Sequence, residues 1–355
     1  MSALTDNILD HLKALVAVDT QNPPRAVTAD GPLVQTVRDR LPGFDIKVHD
    51  YGGGSIVIEA IRGDAPVLFN VHLDTVPVAE GWQSDPHTLK VTNGRVYGLG
   101  ACDIKGAAAC LFALASRTTA PMHLVLSTDE ESGQSACIRR YLEVPPPVRQ
   151  AIIAEPTSVR AVTEHRGILS AKMAFTGTSG HSSGEKAKSA VHDAARWITA
   201  VLDHPEAAKN RLNVGRIEGG VKPNMIAASA ELLFGFRALP GTDHLALLEA
   251  FDSAASDIVD AERMIRFVGP ALPDDVDGPA GFAQAQATQW LDEVGLEKGE
   301  AVNFWTEAAL FAAAGVPAIV LGPGDIAQAH TANEWVTIEQ LELAYSAYER
   351  IVNHG

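Results

Sequence analysis

Short apolar runs recur along the chain, and several of them end in an acid or a histidine. Residues 67–73, rich in Val and Phe, read as a buried strand that closes on His72-Leu73-Asp74-Thr75. Residues 122–128 form a second strand, with Asp129-Glu130-Glu131 at its C-terminal end. Residues 151–154 form a third, ending in Glu155-Pro156-Thr157, and residues 317–321 a fourth, leading through Gly322-Pro323-Gly324-Asp325 to His330. Helical periodicity alternates with these strands. Ile8, Leu9, Leu12, Leu15 and Val16 predict an N-terminal helix, capped by Thr5 or Asp6 and stopped by Pro23-Pro24. Further helices are predicted over 32–41, 106–116, 133–142 and 279–290, and strands over 44–49 and 55–61 flank the turn at Gly52-Gly53-Gly54. Strands apolar on both faces, alternating with helices, predict an α/β fold with a mainly parallel sheet and helices on both faces.

From residue 168 the rhythm changes. Strands are predicted over 168–175, 212–217, 228–237 and 264–268, and the third alternates, with Ala230, Leu232, Phe234 and Phe236 on one face. Helices are predicted over 189–202, with Val191, Ala195, Ile198 and Leu202 inward, and over 244–259. The order β-α-β-β-α-β is the split βαβ pattern with an antiparallel sheet, here an α+β domain inserted into the first. The predicted boundaries are 1–167, 168–275 and 276–355.

Every acid or histidine that closes a predicted strand lies past its carboxyl end, where open α/β sheets gather ligands. His72 and Asp74, two apart in a strand, face the same way, and a carboxylate beside an imidazole can hold the tautomer that binds a metal. Asp103 lies where the glycine-rich 98–106 loop enters a helix. The rim candidates are therefore His72, Asp74, Asp103, Glu130, Glu131, Glu155 and His330. Two histidines and three carboxylates, one of them shared, suffice for two divalent cations with an open edge for water. Nitrogen and oxygen donors without cysteine favour zinc, with cobalt or manganese as alternatives. Of the adjacent Glu130 and Glu131, one can ligate while the other faces the water as general base. Taken singly, a His-x-Asp pair is commonly a surface hydrogen bond and an acidic triplet a solvated turn. The weight lies in four strands delivering such residues to one rim.

Composition narrows the partners. The chain has 355 residues, 46% hydrophobic and 20% charged, which is ordinary globular composition with room for two domains. A formal net charge of -16 argues against a nucleic-acid or anionic membrane surface. Three cysteines, Cys102, Cys110 and Cys137, form no CxxC pair and no disulfide framework, which fits a reducing compartment. The N-terminal residues lack a signal-peptide pattern and no apolar stretch is long enough to span a bilayer, so a cytoplasmic location is expected. Cys102, beside Asp103, reads as a small buried residue rather than a reactive one.

The segments His72-Leu73-Asp74-Thr75-Val76-Pro77, Gly100-Ala101-Cys102-Asp103-Ile104-Lys105-Gly106, Asp129-Glu130-Glu131, Ala154-Glu155-Pro156-Thr157, Gly180-His181-Ser182-Ser183 and Gly322-Pro323-Gly324-Asp325 with His330-Thr331 run through nearly the whole chain. Together they resemble the dinuclear zinc amidohydrolases and exopeptidases grouped with aminoacylase, acetylornithine deacetylase, succinyl-diaminopimelate desuccinylase and glutamate carboxypeptidase. The resemblance implies a zinc exopeptidase-like fold with two divalent metals, most simply Zn²⁺, with Co²⁺ possible. His72, Asp103, Glu131, Glu155 and His330 would be the metal ligands, Asp103 bridging. Asp74 would orient His72, and Glu130 would be the base.

The insert resembles the family's lid and dimerisation domain. His181 would then reach the partner subunit's site of a homodimer and stabilise the oxyanion. Asn224 and Arg237 match substrate-binding positions. From the residues alone, His181 reads as a surface residue in a Gly/Ser-rich turn, and Arg237 could equally close a structural salt bridge. Glu155 matches the acetylornithine deacetylase and desuccinylase-like members, and the short length with the 303–308 and 322–330 segments looks closest to the N-acetylcitrulline deacetylase branch. That implies removal of an acetyl group from N-acetyl-L-citrulline or N-acetyl-L-ornithine in arginine synthesis. The alternatives are an N-succinyl-diaminopimelate desuccinylase or a catalytically silent binding relative. Cys102 stands where many relatives carry a small non-thiol residue.

Overall fold

In a computed structural model of the chain, the described residues are 2–24, 26–131, 135–184, 188–255 and 261–354. They divide into two compact units. One comprises Met1–Thr163, Asp277–Ala301 and Thr306–Gly355, the other Glu164–Val276 and Val302–Trp305. The short Val302–Trp305 segment thus returns to the inserted unit after the chain has left it.

The first unit begins with α1 (Ala3–Val16), α2 (Pro32–Arg40), β1 (Asp45–Asp50), β2 (Ile56–Arg62), β3 (Val67–His72), β4 (Lys90–Thr92), β5 (Arg95–Tyr97), α3 (Lys105–Arg117), β6 (Met122–Ser127), α4 (Ala136–Tyr141) and β7 (Gln150–Ile153). The six-stranded sheet runs β1-β2-β6-β3-β7 and closes on a strand at Ala318–Val320. Its four strands β6, β3, β7 and Ala318–Val320 are parallel, while β1 and β2 join antiparallel. This is the expected mainly parallel sheet, and it puts four carboxyl ends on one rim. From β3 the chain proceeds to β6 on one side. From β7 it proceeds, after the inserted unit, to Ala318–Val320 on the other. A crevice therefore opens outside the ends of β3 and β7.

Helix α1 buries Ile8, Leu9, Leu12, Leu15 and Val16 as expected, but its cap differs. It starts at Ala3, with the Ser2 side chain accepting the Thr5 N–H at 3.1 Å, because Thr5 is buried and its hydroxyl donates to Glu342 instead. Helix α3 is buried through its first eleven residues; Ala107, Ala108, Ala109, Ala113 and Ala115 keep it narrow enough to be covered on all sides. The predicted helix over 133–142 is described from Ala136; residues 132–134 lie outside the described residues.

Across one edge of the sheet, Glu59 of β2 accepts from Tyr141 Oη at 2.7 Å and faces His123 Nε2 of β6 at 3.0 Å and His49 Nε2 of β1 at 3.3 Å. Led by the His123 hydrogen bond, and against the opposing effect of burial, these contacts hold the Glu59 carboxyl down from 4.5 to about 2. A folded-state pKa below the unfolded one adds stability above that unfolded value, and this stability is lost as pH falls through the folded value. Glu59→Gln is expected to lower stability by about 2 kcal/mol at neutral pH. Its deficit against the wild type should shrink as the pH drops from 4.5 to 2, which urea melts across that range can measure. A deficit independent of pH would mean that the charge is not what stabilises this corner.

The second unit contains β8 (Ile168–Thr176), β9 (Gly180–His181), α5 (Ala190–Leu202), α6 (Pro205–Lys209), β10 (Asn213–Gly219), β11 (Met225–Ile226), β12 (Ser229–Phe236), α7 (His244–Ala254) and β13 (Ala261–Gly269). Its antiparallel sheet has the order β10-β12-β8-β13, the split βαβ topology read from the sequence, and β9 pairs separately with β11. Ala230, Leu232, Phe234 and Phe236 point into the core as predicted. The inward face of α5 is shifted by one residue from the expected one: Ala190, Ala194, Trp197 and Val201 are buried, while Ala195 and Leu202 are exposed. Trp197 decides this, seating its ring 4.7 Å from that of Phe234. The predicted helix over 244–259 ends at Ala254; residues 256–260 lie outside the described residues.

The first unit resumes with α8 (Pro279–Val294), α9 (Ala308–Ala313), β14 (Ala318–Val320), β15 (Trp335–Thr337) and α10 (Ile338–His354). Helix α10 buries Leu341, Ala344, Tyr345, Tyr348 and Ile351. Tyr348 donates to the Leu321 carbonyl at 2.9 Å and packs edge-on against Phe69, 5.4 Å between ring centres, so α10 braces both β14 and β3. Among the described residues no helix is long and apolar enough to cross a membrane.

Candidate metal centre

Strand β3 is buried along its whole length and ends at His72. Its neighbours are cut to matching lengths. β6 ends at Ser127, just ahead of Asp129-Glu130-Glu131, and β7 at Ile153, two residues before Glu155. Past β14 the chain must fold tightly back over the Glu155 segment. A Cβ on Gly322 would lie 2.1 Å from the Ala154 carbonyl oxygen, so only glycine fits there. The chain then reaches His330, whose φ of +59° is uncommon for a non-glycine residue and typical of strained functional positions.

The structure brings His72, Asp103, Glu131, Glu155 and His330 into one cluster. Asp103 stands between the two imidazoles. Its Oδ1 lies 3.0 Å from His72 Nε2, and its Oδ2 lies 3.3 Å from His330 Nε2. His72 Nε2 is also 3.6 Å from Glu155 Oε1, and His330 Nε2 is 3.1 Å from Glu131 Oε1. The cluster thus has two halves, His72 with Glu155 and His330 with Glu131, and Asp103 presents one oxygen to each. Tetrahedral ligands about 2.1 Å from an ion lie roughly 3.4 Å from one another, so these spacings suit one cation per half. Donor atoms of His72, Asp103 and Glu131 lie within 4.8 Å of one another.

The electrostatics agree with such occupants. Burial alone would raise the Asp103 carboxyl, but the His330 and His72 hydrogen bonds hold it well below the usual carboxylate range. Desolvation would lower the His72 imidazole, yet Glu155 and Asp103 raise it well above its ordinary value. Asp103 and Glu131 raise His330 to about 11. Burial, with neighbouring acids adding, pushes Glu130 and Glu155 well up. Carboxylates outnumber the positive charges available within the cluster, and divalent cations held there would supply what is missing. The donors are all nitrogen and oxygen, which suits zinc, cobalt or manganese. Cys102 is not one of them: it is buried, burial pushes its thiol far up, and its Sγ donates to the Asp325 carbonyl at 3.4 Å.

Asp74 lies against His72, as the sequence pattern suggests, and holds a second segment as well. His72 Nδ1 meets the main-chain carbonyl of Asp74 at 3.0 Å, while the nearer carboxylate oxygen is 3.6 Å away. That carboxylate also accepts the N–H groups of Glu130 (3.3 Å) and Glu131 (3.0 Å) and the side-chain amide of Asn22 (2.9 Å). It therefore fixes the turn that carries both glutamates. Sequence reasoning missed Asn22, Glu307 and Glu334. Glu307 is buried at the N-terminal end of α9, accepts from Ser127 Oγ at 3.2 Å, and is raised by burial to about 8. Glu334 accepts three backbone N–H groups of the Asp103 loop. Asn22 could have been suspected from Asn22-Pro23-Pro24, where a polar residue is fixed at a sharp stop; the two glutamates have no local signal.

His181, Asn224 and Arg237 belong to the second unit. His181 and Asn224 are neighbours there: β9 pairs with β11 at His181 and Met225, and the Ser182 N–H donates to the Asn224 carbonyl at 3.1 Å. Both are exposed. Arg237 follows β12, its N–H donating to the buried Asn210 carbonyl at 2.7 Å and its carbonyl accepting from Arg166 at 3.0 Å. It lines a pocket of about 290 Å³ together with Arg211, Asn213 and Ser170.

The relatives of this chain point the same way. A sequence profile of peptidase family M20/M25/M40 matches residues 68–354. The N-acetyl-L-citrulline deacetylase of Xanthomonas campestris pv. campestris is 45% identical over 364 residues, covering 99% of each chain. The acetylornithine deacetylase of Proteus mirabilis is 33% identical over 327 residues, covering 84% of this chain and 83% of the relative. Among solved structures, the M20 family metallo-carboxypeptidase Sso-CP2 of Sulfolobus solfataricus superposes with a TM-score of 0.75 over 99% of both chains. At 16% identity that likeness speaks to the fold alone. The profile begins inside β3, just ahead of His72, and runs on through α10, so the cluster lies wholly within the matched region and the chain belongs to peptidase family M20/M25/M40.

Proposed function

We propose that the protein is a metal-dependent deacetylase that cleaves the amide of an N-acetyl-L-amino acid, N-acetyl-L-citrulline before N-acetyl-L-ornithine, to acetate and the free amino acid in arginine synthesis. The observation that carries this reading is the division of Asp103, one oxygen toward His72 and Glu155 and the other toward His330 and Glu131. Held in those two halves, a pair of divalent cations, zinc by preference, would polarise the amide carbonyl and make a water acidic enough to attack it.

The chain's own groups do the rest. Glu130 takes the proton from the attacking water as its oxygen bonds to the carbonyl carbon. It then returns that proton to the amide nitrogen as the carbon–nitrogen bond breaks. Asp74 holds the main chain of Glu130 and Glu131 in place for this. His181, contributed by the partner of a homodimer formed through the inserted unit, donates to the oxyanion. Arg237 and Asn224 hold the α-carboxylate. The enzyme works in the cytoplasm.

The preference for citrulline is supported by the Arg237 pocket. Two arginines line it, with Asn213 and Ser170, and among the described residues no carboxylate does. Such a pocket suits a carboxylate and a neutral ureido end and disfavours an ammonium, which would stand beside two guanidinium groups. N-acetylcitrulline is expected to exceed N-acetylornithine in kcat/KM by about 10-fold or more, one uncompensated charge being worth at least 1.4 kcal/mol. N-succinyl-diaminopimelate should be the poorest substrate of the three. Steady-state kinetics on the zinc-loaded enzyme tests this order; a preference for the succinyl compound would overturn the deacetylase reading.

A further inference from the structure

Glu334 lies four residues beyond His330 and is 2% exposed. Its Oε1 accepts the N–H groups of Cys102 at 2.7 Å and Asp103 at 2.9 Å, and its Oε2 accepts that of Gly100 at 2.9 Å. Its own carbonyl accepts the Gly98 N–H at 3.3 Å. One residue therefore grips the 98–103 loop with both side chain and main chain. Three backbone N–H donors converge on this one buried carboxyl group, and they belong to the loop that delivers the central carboxylate.

The other end of this connection is the loop that carries His330. Glu334 closes it, just ahead of β15, which pairs with β5 through Trp335–Tyr97 and Val336–Val96. Within the loop both His330 and Asn333 take left-handed backbone conformations, with φ of +59° and +60°. Asp103 Oδ2 and His330 Nε2, 3.3 Å apart, thus arrive on two irregular loops that Glu334 ties together. His72, by contrast, arrives on a buried strand paired on both sides. The two halves of the centre are supported unequally.

We propose that Glu334 is a positioning residue that sets Asp103 against His330, so that the half of the centre built on His330 and Glu131 depends on it more than the half built on His72 and Glu155. This rests on the reading of the cluster as a two-cation site. Glu334 itself touches neither substrate nor cation; it acts through Asp103 and the His330 loop.

The test is zinc binding by metal-stripped wild type and Glu334→Gln, followed by competition titration with a chelating indicator, alongside thermal melts of the stripped proteins. Gln keeps the shape but sets an amide NH₂ against a backbone N–H. In the variant, the zinc-binding step that His330→Ala removes is expected to lose about 10–100-fold in affinity, the range typical of outer partners of metal ligands. The step that Glu155→Ala removes should change less than about 3-fold, well under that range. At limiting zinc kcat should fall, and excess zinc should restore it with KM unchanged. Glu334→Asp, which keeps the charge but shortens the reach, carries the same comparison if the Gln variant does not fold. Two unchanged steps, or two steps weakened equally with a matching loss of melting temperature and no recovery in zinc, would overturn the positioning role. Wild type that binds no zinc would instead sink the two-cation reading beneath it.

Discussion

Glu130→Gln is expected to keep two cations and lose about 10²–10⁴-fold in kcat, the usual contribution of a positioned general base. Three observations support the proposed role of Glu130. Its main chain is held at 3.3 Å by Asp74, its neighbour Glu131 turns to His330, and burial raises its carboxyl well above the ordinary value. A raised carboxyl accepts a proton more readily, which the step from water to leaving amine requires. Gln has the same shape and cannot carry that proton. Single-turnover kinetics together with elemental analysis would separate the two properties. Turnover within tenfold of wild type would move the base elsewhere, and Glu307, raised to about 8 behind the same rim, is the group to examine next.

Asp103→Ala is expected to remove both cations together. Each imidazole faces a different oxygen of this one carboxylate, so its loss strips a ligand from both halves at once. Zinc affinity should fall more than about 100-fold at both steps, beyond what outer partners cost, and hydrolysis should drop to background. Glu155→Ala and His330→Ala are the contrasting variants, since each touches one half only. Metal content by mass spectrometry under native conditions reads all three. An Asp103→Ala protein that still held two zinc ions would show that Asp103 does not bridge.

Much of the catalytic unit could be read from the sequence because its strands are apolar on both faces and short, and their ends are marked by acids. The insert's topology was equally legible from the alternation of Ala230, Leu232, Phe234 and Phe236. What escaped was set at a distance. The period-two argument places the Asp74 carboxylate beside His72, where it lies 3.6 Å from Nδ1, but gives no hint of its bonds to N–H groups 56 and 57 residues later. In α5 the helical period was right and the phase wrong by one residue, because a single Trp outweighs several small apolar residues in choosing the buried face. The spacing of Leu341, Ala344, Tyr345, Tyr348 and Ile351 is plainly helical, so α10 was within reach of periodicity alone. Glu334 was not, since nothing near it in sequence records that its partners are residues 98–103.

The insertion between β7 and β14 also orders events during synthesis. His72, Asp103, Glu131 and Glu155 leave the ribosome in one stretch, and His330 follows 175 residues after Glu155. At roughly 5–20 residues per second that interval is about 9–35 s. The second imidazole is made only after the whole inserted unit. A cage that holds a pair of ions would therefore close only once that unit has been synthesised.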